Sequence, residues 1–183
     1  MMPEISLNIL DVAQNSISAG SRLTEIDIRI DTASDILEVI IDDNGRGMSA
    51  EQASRVVDPF FTTRTTRKVG LGVPFLKMAA EFAGGHYHIE SAPGKGTKIS
   101  AVFGLTHIDR MPVGDMAGTM VSLVGSNPDL DFIFRYYVDE NSFIMDTREM
   151  RQVLDGIPLY MPEVLNYISE FINENIDAVG VRF

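Results

Sequence analysis

Residues 40–48, IIDDNGRGM, carry an apolar run into two aspartates and straight on into a turn with two glycines. Leu37 to Ile41 is short and apolar and holds Val39, Ile40 and Ile41, the composition of a buried strand. Asp42-Asp43-Asn44-Gly45 then stops it. Gly45 and Gly47 admit positive φ and close approach of the backbone to a ligand. A carboxylate held at a strand end beside such a turn can accept a hydrogen bond from a ligand amine, which an apolar side chain cannot do. On this stretch alone, a strand-turn-helix corner and a binding site stand as equal readings.

On the N-terminal side, Ile5 to Ala19 reads as a helix whose apolar positions Ile9, Leu10, Val12, Ala13 and Ile17 wrap most of its circumference. The exception is the stripe Asn8, Asp11, Asn15 and Ser18, spaced by three, four and three residues along one face. That stripe either faces water or needs partners, because an unpaired buried polar group costs roughly 1–3 kcal/mol. Gly20 is a candidate left-handed cap. Glu25 to Ile30, alternating through Ile26, Ile28 and Ile30, and Ile36 to Ile41 form an antiparallel hairpin.

On the C-terminal side, Ser49 with Gln52 is a capping box that starts a short helix. Val57 to Lys68, VDPFFTTRTTRK, has no period and reads as a loop. Val69-Gly70-Leu71-Gly72-Val73-Pro74 opens a helix running to about Phe82; glycines ahead of a helix N-terminus favour an anion such as phosphate, and Pro74 suits the first turn. Gly84-Gly85 ends it, and His86 to Ser91 and Thr97 to Phe103 make a second hairpin around the turn Ala92 to Gly96.

The chain has 183 residues, enough for one domain with a sizeable core or for one domain with an extension. A net charge of −11 disfavours a nucleic-acid partner, since phosphates would be repelled over most of the surface. The absence of cysteine excludes disulfides and thiolate metal sites and fits a reducing cytoplasm. No signal peptide or membrane span is expected.

Five motifs in fixed order, covering about residues 5–104, resemble the GHKL ATP-binding superfamily of gyrase, the ninety-kilodalton heat-shock chaperones, sensor histidine kinases and mismatch-repair ATPases. DVAQNSISAG resembles the asparagine box, which implies that Asn15 ligates Mg²⁺ bridging the nucleotide phosphates. DDNGRGM resembles the first glycine box; the resemblance makes Asp43 the acceptor for the adenine amino group, with Gly47 and Met48 beside the base and Gly45 also counted among the cofactor-binding residues. DPFFTTR resembles the phenylalanine box and implies a contact at Phe60, and GLGVPF resembles the second glycine box, whose Gly70, Leu71 and Gly72 would meet the phosphates. GKGT resembles the last box, with Thr97 near the adenine end. The implied fold is α+β, a two-layer sandwich with a mixed, mainly antiparallel sheet covered by helices on one face (the Bergerat-type ATP-binding fold), plus a small α+β C-terminal extension.

Phe60 to Val102 is most similar to sensor histidine kinases, whereas NSISAG looks more like the mismatch-repair ATPases. A kinase usually has a basic residue three after the asparagine, where this chain has Ser18. The mismatch-repair ATPases place a glutamate four residues before it to activate water, where this chain has Asp11. Asp reaches about 1.5 Å less far than Glu, and a general base is worth typically 10²- to 10⁴-fold, so Asp11 is read as base or as partner of Asn15 or the metal. Arg64, with Arg67 and Lys68, is the candidate for neutralising γ-phosphate charge. Only four residues precede the first helix, so the dimerisation and phosphoacceptor helices of a sensor kinase are expected to be absent. His86, His88 and His107 are read as structural or solvated.

Residues 1–106 are expected to form the ATP-binding domain, and residues 107–183 an acidic extension or small domain. Residues 107–183 hold thirteen acidic and five basic side chains, a net −8 against −3 for residues 1–106. Leu105 to Gly118 reads as a linker; Met120 to Val124, Asp131 to Val138 and Ser142 to Met145 read as strands. Asp146 with Glu149 marks a helix ending near Gly156, and Pro162 starts another with a broad apolar face through Leu165, Ile168 and Ile172. That face suits packing on its own strands more than docking a basic partner protein or a homodimer contact. The preferred functional expectation is a cytoplasmic protein that binds ATP and Mg²⁺ and phosphorylates or regulates a partner in trans. The alternatives are an ATP-hydrolysing switch with Asp11 as base and a non-catalytic ATP sensor.

Overall fold

Strict alternation gives the first strand its two faces: Ile26, Ile28 and Ile30 are buried while Glu25 and Arg29 point the other way, with Asp27 between them. The computed structural model describes residues 2–57 and 72–180. Its strands are β1 (Leu23–Asp31), β2 (Ile36–Asp43), β3 (His86–Ala92), β4 (Gly96–Gly104), β5 (Asp131–Val138) and β6 (Asn141–Asp146). They form one sheet in the order β3-β4-β2-β1-β5-β6. Every neighbouring pair is antiparallel except β1 with β5, which run parallel from Leu23↔Asp131 to Ile30↔Val138. The fold is thus α+β with a mixed, mainly antiparallel sheet.

The helices are α1 (Ile5–Ser18), α2 (Ala50–Arg55), α3 (Gly72–Phe82), α4 (Met116–Ser126), α5 (Thr147–Leu154) and α6 (Pro162–Val179). Four of them lie side by side, α3 against α1, α1 against α4 and α4 against α6. They bury Ile5, Ile9 and Val12 of α1, Leu76 of α3, Met120 and Leu123 of α4, and Ile168 and Ile172 of α6 over the apolar face of the sheet. Gly20 takes the left-handed cap after α1, and Ser49 and Gln52 close the capping box of α2 reciprocally.

One expected strand is a helix. Met120 to Val124 lies inside α4, because Asp115 caps that segment by accepting from the Gly118 N–H and the segment is buried on most of its circumference. The linker expected over Leu105 to Gly118 accordingly ends at Asp115, and Pro112 and Val113 carbonyls accept from Ile5 and Ser6 N–H groups, tying the chain's first turn down.

Residues beyond 106 extend the same sheet and the same apolar core, which runs as one cluster from Ile5 and Ile26 to Phe134 and Ile176. Arg135 of β5 reaches across to β1, bonding Glu25 and Asp27. Arg29 bonds Asp27 from the other side and lies over the Tyr137 ring. Asp27, only 6% exposed, is thereby held between two guanidinium groups.

Candidate functional site

β2 ends in two carboxylates, and its alternation separates them. Asp43 shares the parity of Leu37, Val39 and Ile41 and turns toward the helix layer; Asp42 turns to the opposite face across from Lys98. Burial pushes the Asp42 carboxyl up from its ordinary value, with Lys98 pulling it down and Glu25, Asp43 and Asp27 adding to the rise. Asp43 is 7% exposed and fully engaged on its protein side: Ser16 Oγ donates to Oδ2 at 2.7 Å, and the Gly45 N–H donates to Oδ1 at 2.9 Å. A desolvated carboxylate with fixed donors behind it presents its remaining lone pairs in fixed directions.

Those lone pairs border a cavity of about 550 Å³. α1 supplies Val12, Asn15 and Ser16; the turn after β2 supplies Arg46, Gly47 and Met48; α3 supplies Val73 and Pro74; β4 supplies Thr97 and Ile99. One wall is thus apolar and the base polar, the usual character of a small-molecule pocket. A larger groove of about 690 Å³ lies by the β1–β2 turn, between Arg29, Glu38, Tyr137 and Asp139, and contains none of the motif residues.

The turn is tied on both sides. Asn44 Oδ1 accepts from Arg22 and Leu23 N–H groups and from the Ser21 hydroxyl, and the Arg46 N–H donates to the Ala19 carbonyl. Gly47 sits at φ +63°, and a Cβ there would run into the Ala92 carbonyl oxygen, so the turn and the β3–β4 turn approach as only glycine permits. The Gly94 N–H donates to the Arg46 carbonyl, and the Met48 N–H donates to Ser91 Oγ at 2.8 Å.

The sequence-derived candidates divide as follows. Asn15, Asp43, Gly47, Met48 and Thr97 line the one cavity, and Gly45 sits behind it as donor to Asp43. Gly72 and Asp11 meet beside it: a Cβ on Gly72, the first residue of α3, would stand 2.6 Å from Asp11 Oδ2. Phe60, Arg64, Arg67, Lys68, Gly70 and Leu71 lie outside the described residues. The polar stripe of α1 breaks up by depth. Asn8 is fully buried, donating to the Glu4 carbonyl while its Oδ1 has no partner; Asp11 and Asn15 are half-buried; Ser18 is exposed and bonds back to the Gln14 carbonyl. Two residues were missed, Ser16 and Ser91. Each matters through a partner on another element, although Ser16 stood beside Asn15 in the quoted motif and Ser91 in the run ending at Val102.

Among the described residues no group of three or more His, Cys, Asp or Glu side chains could hold a metal ion. Asn15 offers a hard amide oxygen at the cavity wall, suited to a cation that takes most of its ligands from phosphates and water. No helix among the described residues is long and apolar enough to cross a membrane.

A family model described as histidine kinase-, DNA gyrase B- and HSP90-like ATPase matches residues 4–107. A probable C4-dicarboxylate sensor kinase of Bacillus subtilis is 36% identical over 78 residues, 43% of this chain and 15% of that protein. A putative sensor protein of Shewanella frigidimarina is 32% identical over 107 residues, 58% of this chain and 16% of that protein. The chain thus spans about a sixth of the length of these relatives. The N-terminal domain of a DNA repair protein shares the fold at a TM-score of 0.54 and 11% identity, over 79% of this chain and 53% of that one, which is more of this chain than the family model matches.

Proposed function

Because the chain belongs to the histidine kinase-, DNA gyrase B- and HSP90-like ATPase family, we propose that the cavity binds ATP with Mg²⁺ and that the protein phosphorylates or regulates a partner protein in trans. The observation that carries the reading is Asp43, a buried carboxylate fixed by Ser16 and Gly45 at the base of the cavity. It is an acceptor only, and it suits the exocyclic amino group of adenine. Gly47 and Met48 flank the base, Thr97 completes the polar end, and Gly70, Leu71 and Gly72 are assigned to the phosphates through the second glycine box. Asn15 would hold Mg²⁺, which when bound would supply charge neutralisation at the phosphates. Arg64 adds positive charge at the γ-phosphate, and Phe60 contacts the nucleotide. The similarity to sensor kinases supports the kinase-like assignment. The protein works in the cytoplasm.

Asp43→Asn tests the assignment by calorimetry. The amide puts an N–H₂ donor where one carboxylate oxygen was, and ATP binding should be abolished. Unchanged affinity overturns it. Transfer of label from γ-labelled ATP to a partner protein supports the kinase reading, and the exposed apolar side chains of the C-terminal residues, Val153 at 84% and Ile157 at 52%, are the proposed contact surface.

A second reading, hydrolysis as a conformational switch, is favoured by the juxtaposition of Asp11 with Gly72 at the start of α3. It makes Asp11 the general base, worth typically 10²- to 10⁴-fold. Asp11→Asn should then stop hydrolysis and leave binding intact. Hydrolysis at the wild-type rate in that variant removes Asp11 as base.

A further inference from the structure

The two edge strands of the sheet, β3 and β6, are built differently. β3 carries His86, His88 and Glu90 exposed along its length, with His88 Nε2 3.1 Å from Glu90 Oε1, and α2 packs beside it. Charged side chains are a common defence of an edge against pairing with a second chain. β6 reads NSFIMD, without lysine, arginine, proline or glycine. Its one charge, Asp146, caps α5 and is paired with Arg148 at 2.6 Å. The register on β5 runs from Val138↔Asn141 to Ile133↔Asp146 with no bulge, and Ile144 in its middle is 54% exposed. Alternate residues of such an edge turn their N–H and C=O groups outward. Among the described residues, the backbone of Ser142 to Met145 bonds to β5 alone.

α6 stands over that edge. Leu165 marks its side toward α4, since a Cβ on Gly125 would lie 3.1 Å from Leu165 Cδ1. At about 100° per residue, Tyr167, Phe171 and Glu174 fall on the side away from α4, with Glu163 next to them. The Phe171 ring is edge-on to Phe143 of β6 with centroids 6.1 Å apart, and Tyr167, 58% exposed, stacks on Phe171. An open ladder thus runs beneath an exposed aromatic ring and two exposed carboxylates. Strand addition uses such parts, backbone bonds for affinity and side-chain contacts for specificity. A second copy of the chain would bring its own Glu163 and Glu174 to the same place, and the net −8 of residues 107–183 opposes that. A basic segment meets the opposite charge.

We propose that the β6 edge accepts an extended basic segment of a partner protein as a further strand, with an apolar side chain against Tyr167 and Phe171 and arginine or lysine reaching Glu163 and Glu174. β1 and β5 separate this edge from the strands that line the cavity, so the proposal does not depend on what the cavity binds. The probe is a fluorescent peptide, Arg-Thr-Val-Thr-Arg-Thr, whose arginines and valine share one face of a strand; it is titrated into the full chain and followed by anisotropy. Saturable binding is expected, with hydrogen exchange slowed at residues 141–146 and unchanged at residues 86–92. Tyr167→Ala, at an exposed position, should weaken binding roughly tenfold. Glu163→Gln with Glu174→Gln should weaken it about fivefold, and by less as salt is raised. Of two peptides N-methylated at alternate residues, the one whose methyl groups face β6 should lose binding and the other keep it. Equal binding by both overturns the proposal, because the contact is then charge alone. No binding at about 1 mM peptide, or exchange protection away from β6, also overturns it. A dimer of the free chain in sedimentation that Ile144→Lys abolishes makes the occupant a second copy and overturns the assignment to a partner.

Discussion

Replacing Ser16 with alanine removes one hydrogen bond and little volume, from a residue 3% exposed, and leaves every other group of the cavity standing. The bond lost is Ser16 Oγ to Asp43 Oδ2 at 2.7 Å. A bond to a charged acceptor is worth about 1.5–3 kcal/mol. Asp43 keeps its second donor, the Gly45 N–H, and borders a cavity that water can enter, so the lower end, about 1.5 kcal/mol, is the expected loss of stability. For a chain of this length that is a drop of about 3–6 °C in melting temperature. A urea titration followed by circular dichroism should show the midpoint falling with the slope unchanged. Ser18→Ala, which deletes an exposed bond to the Gln14 carbonyl, is the control and should stay within about 0.5 kcal/mol of wild type. In a cycle with Asp43→Asn the two changes should couple by about 1 kcal/mol. A Ser16→Ala loss no larger than that of the Ser18 control would refute the claim that Ser16 holds the carboxylate.

Gly47→Ala forces a side chain into a left-handed φ and into the Ala92 carbonyl; a loss of about 2–4 kcal/mol is expected in the same titration, and a loss under about 1 kcal/mol contradicts the close approach of the two turns. Asp42 supplies a pH test. Its folded carboxyl sits above the ordinary 3.8 because of burial, so the folded state holds that proton more tightly than the unfolded chain. The resulting destabilisation is absent below 3.8 and grows as pH rises through the raised folded value. Asp42→Asn should accordingly gain stability relative to wild type across that rise, and a difference independent of pH speaks against it. Cutting the chain after residue 106 strips β1 of its parallel neighbour and α1 of α4, and the fragment should show no cooperative urea transition; a sharp transition would mean that residues 1–106 fold alone.

The first hairpin, the Gly45–Gly47 turn, α1 and the capping box were legible because their signals are local. Ile26, Ile28 and Ile30 alternate within six residues, and Ser49 finds Gln52 three positions on. Met120 to Val124 misled for a physical reason: a helix buried on most sides shows no 3.6-residue period, and MVSLV has the composition of a strand. The better signal was the cap at Asp115, directly after Gly114 and three residues past Pro112. The parallel pairing of β1 with β5 left no trace in either strand, since register between distant segments is set by the whole core. At the candidate site, Asp43 stood out at a strand end beside glycines, but the stretch alone left a corner and a site equal, and the resemblance to the first glycine box tipped the reading. Ser16 and Ser91 were not, because a hydroxyl's role is fixed by which partner it reaches, 27 residues away for Ser16 and 43 for Ser91.

That distant pairing also bears on how the chain is made. Arg135 meets Asp27 across 108 residues, and synthesis proceeds at about 5–20 residues per second, so β1 is complete on the ribosome for roughly 5–20 s before its neighbour emerges. During that interval β1 has β2 on one side and an open ladder on the other, with Ile26, Ile28 and Ile30 along its apolar face. An unpaired apolar edge is a template for association. Asp27 and Glu25 stand on the opposite face of that edge with Arg135 not yet made. Arg29 already pairs with Asp27, so Glu25 is the carboxylate on that face that waits for the arginine it bonds in the finished fold.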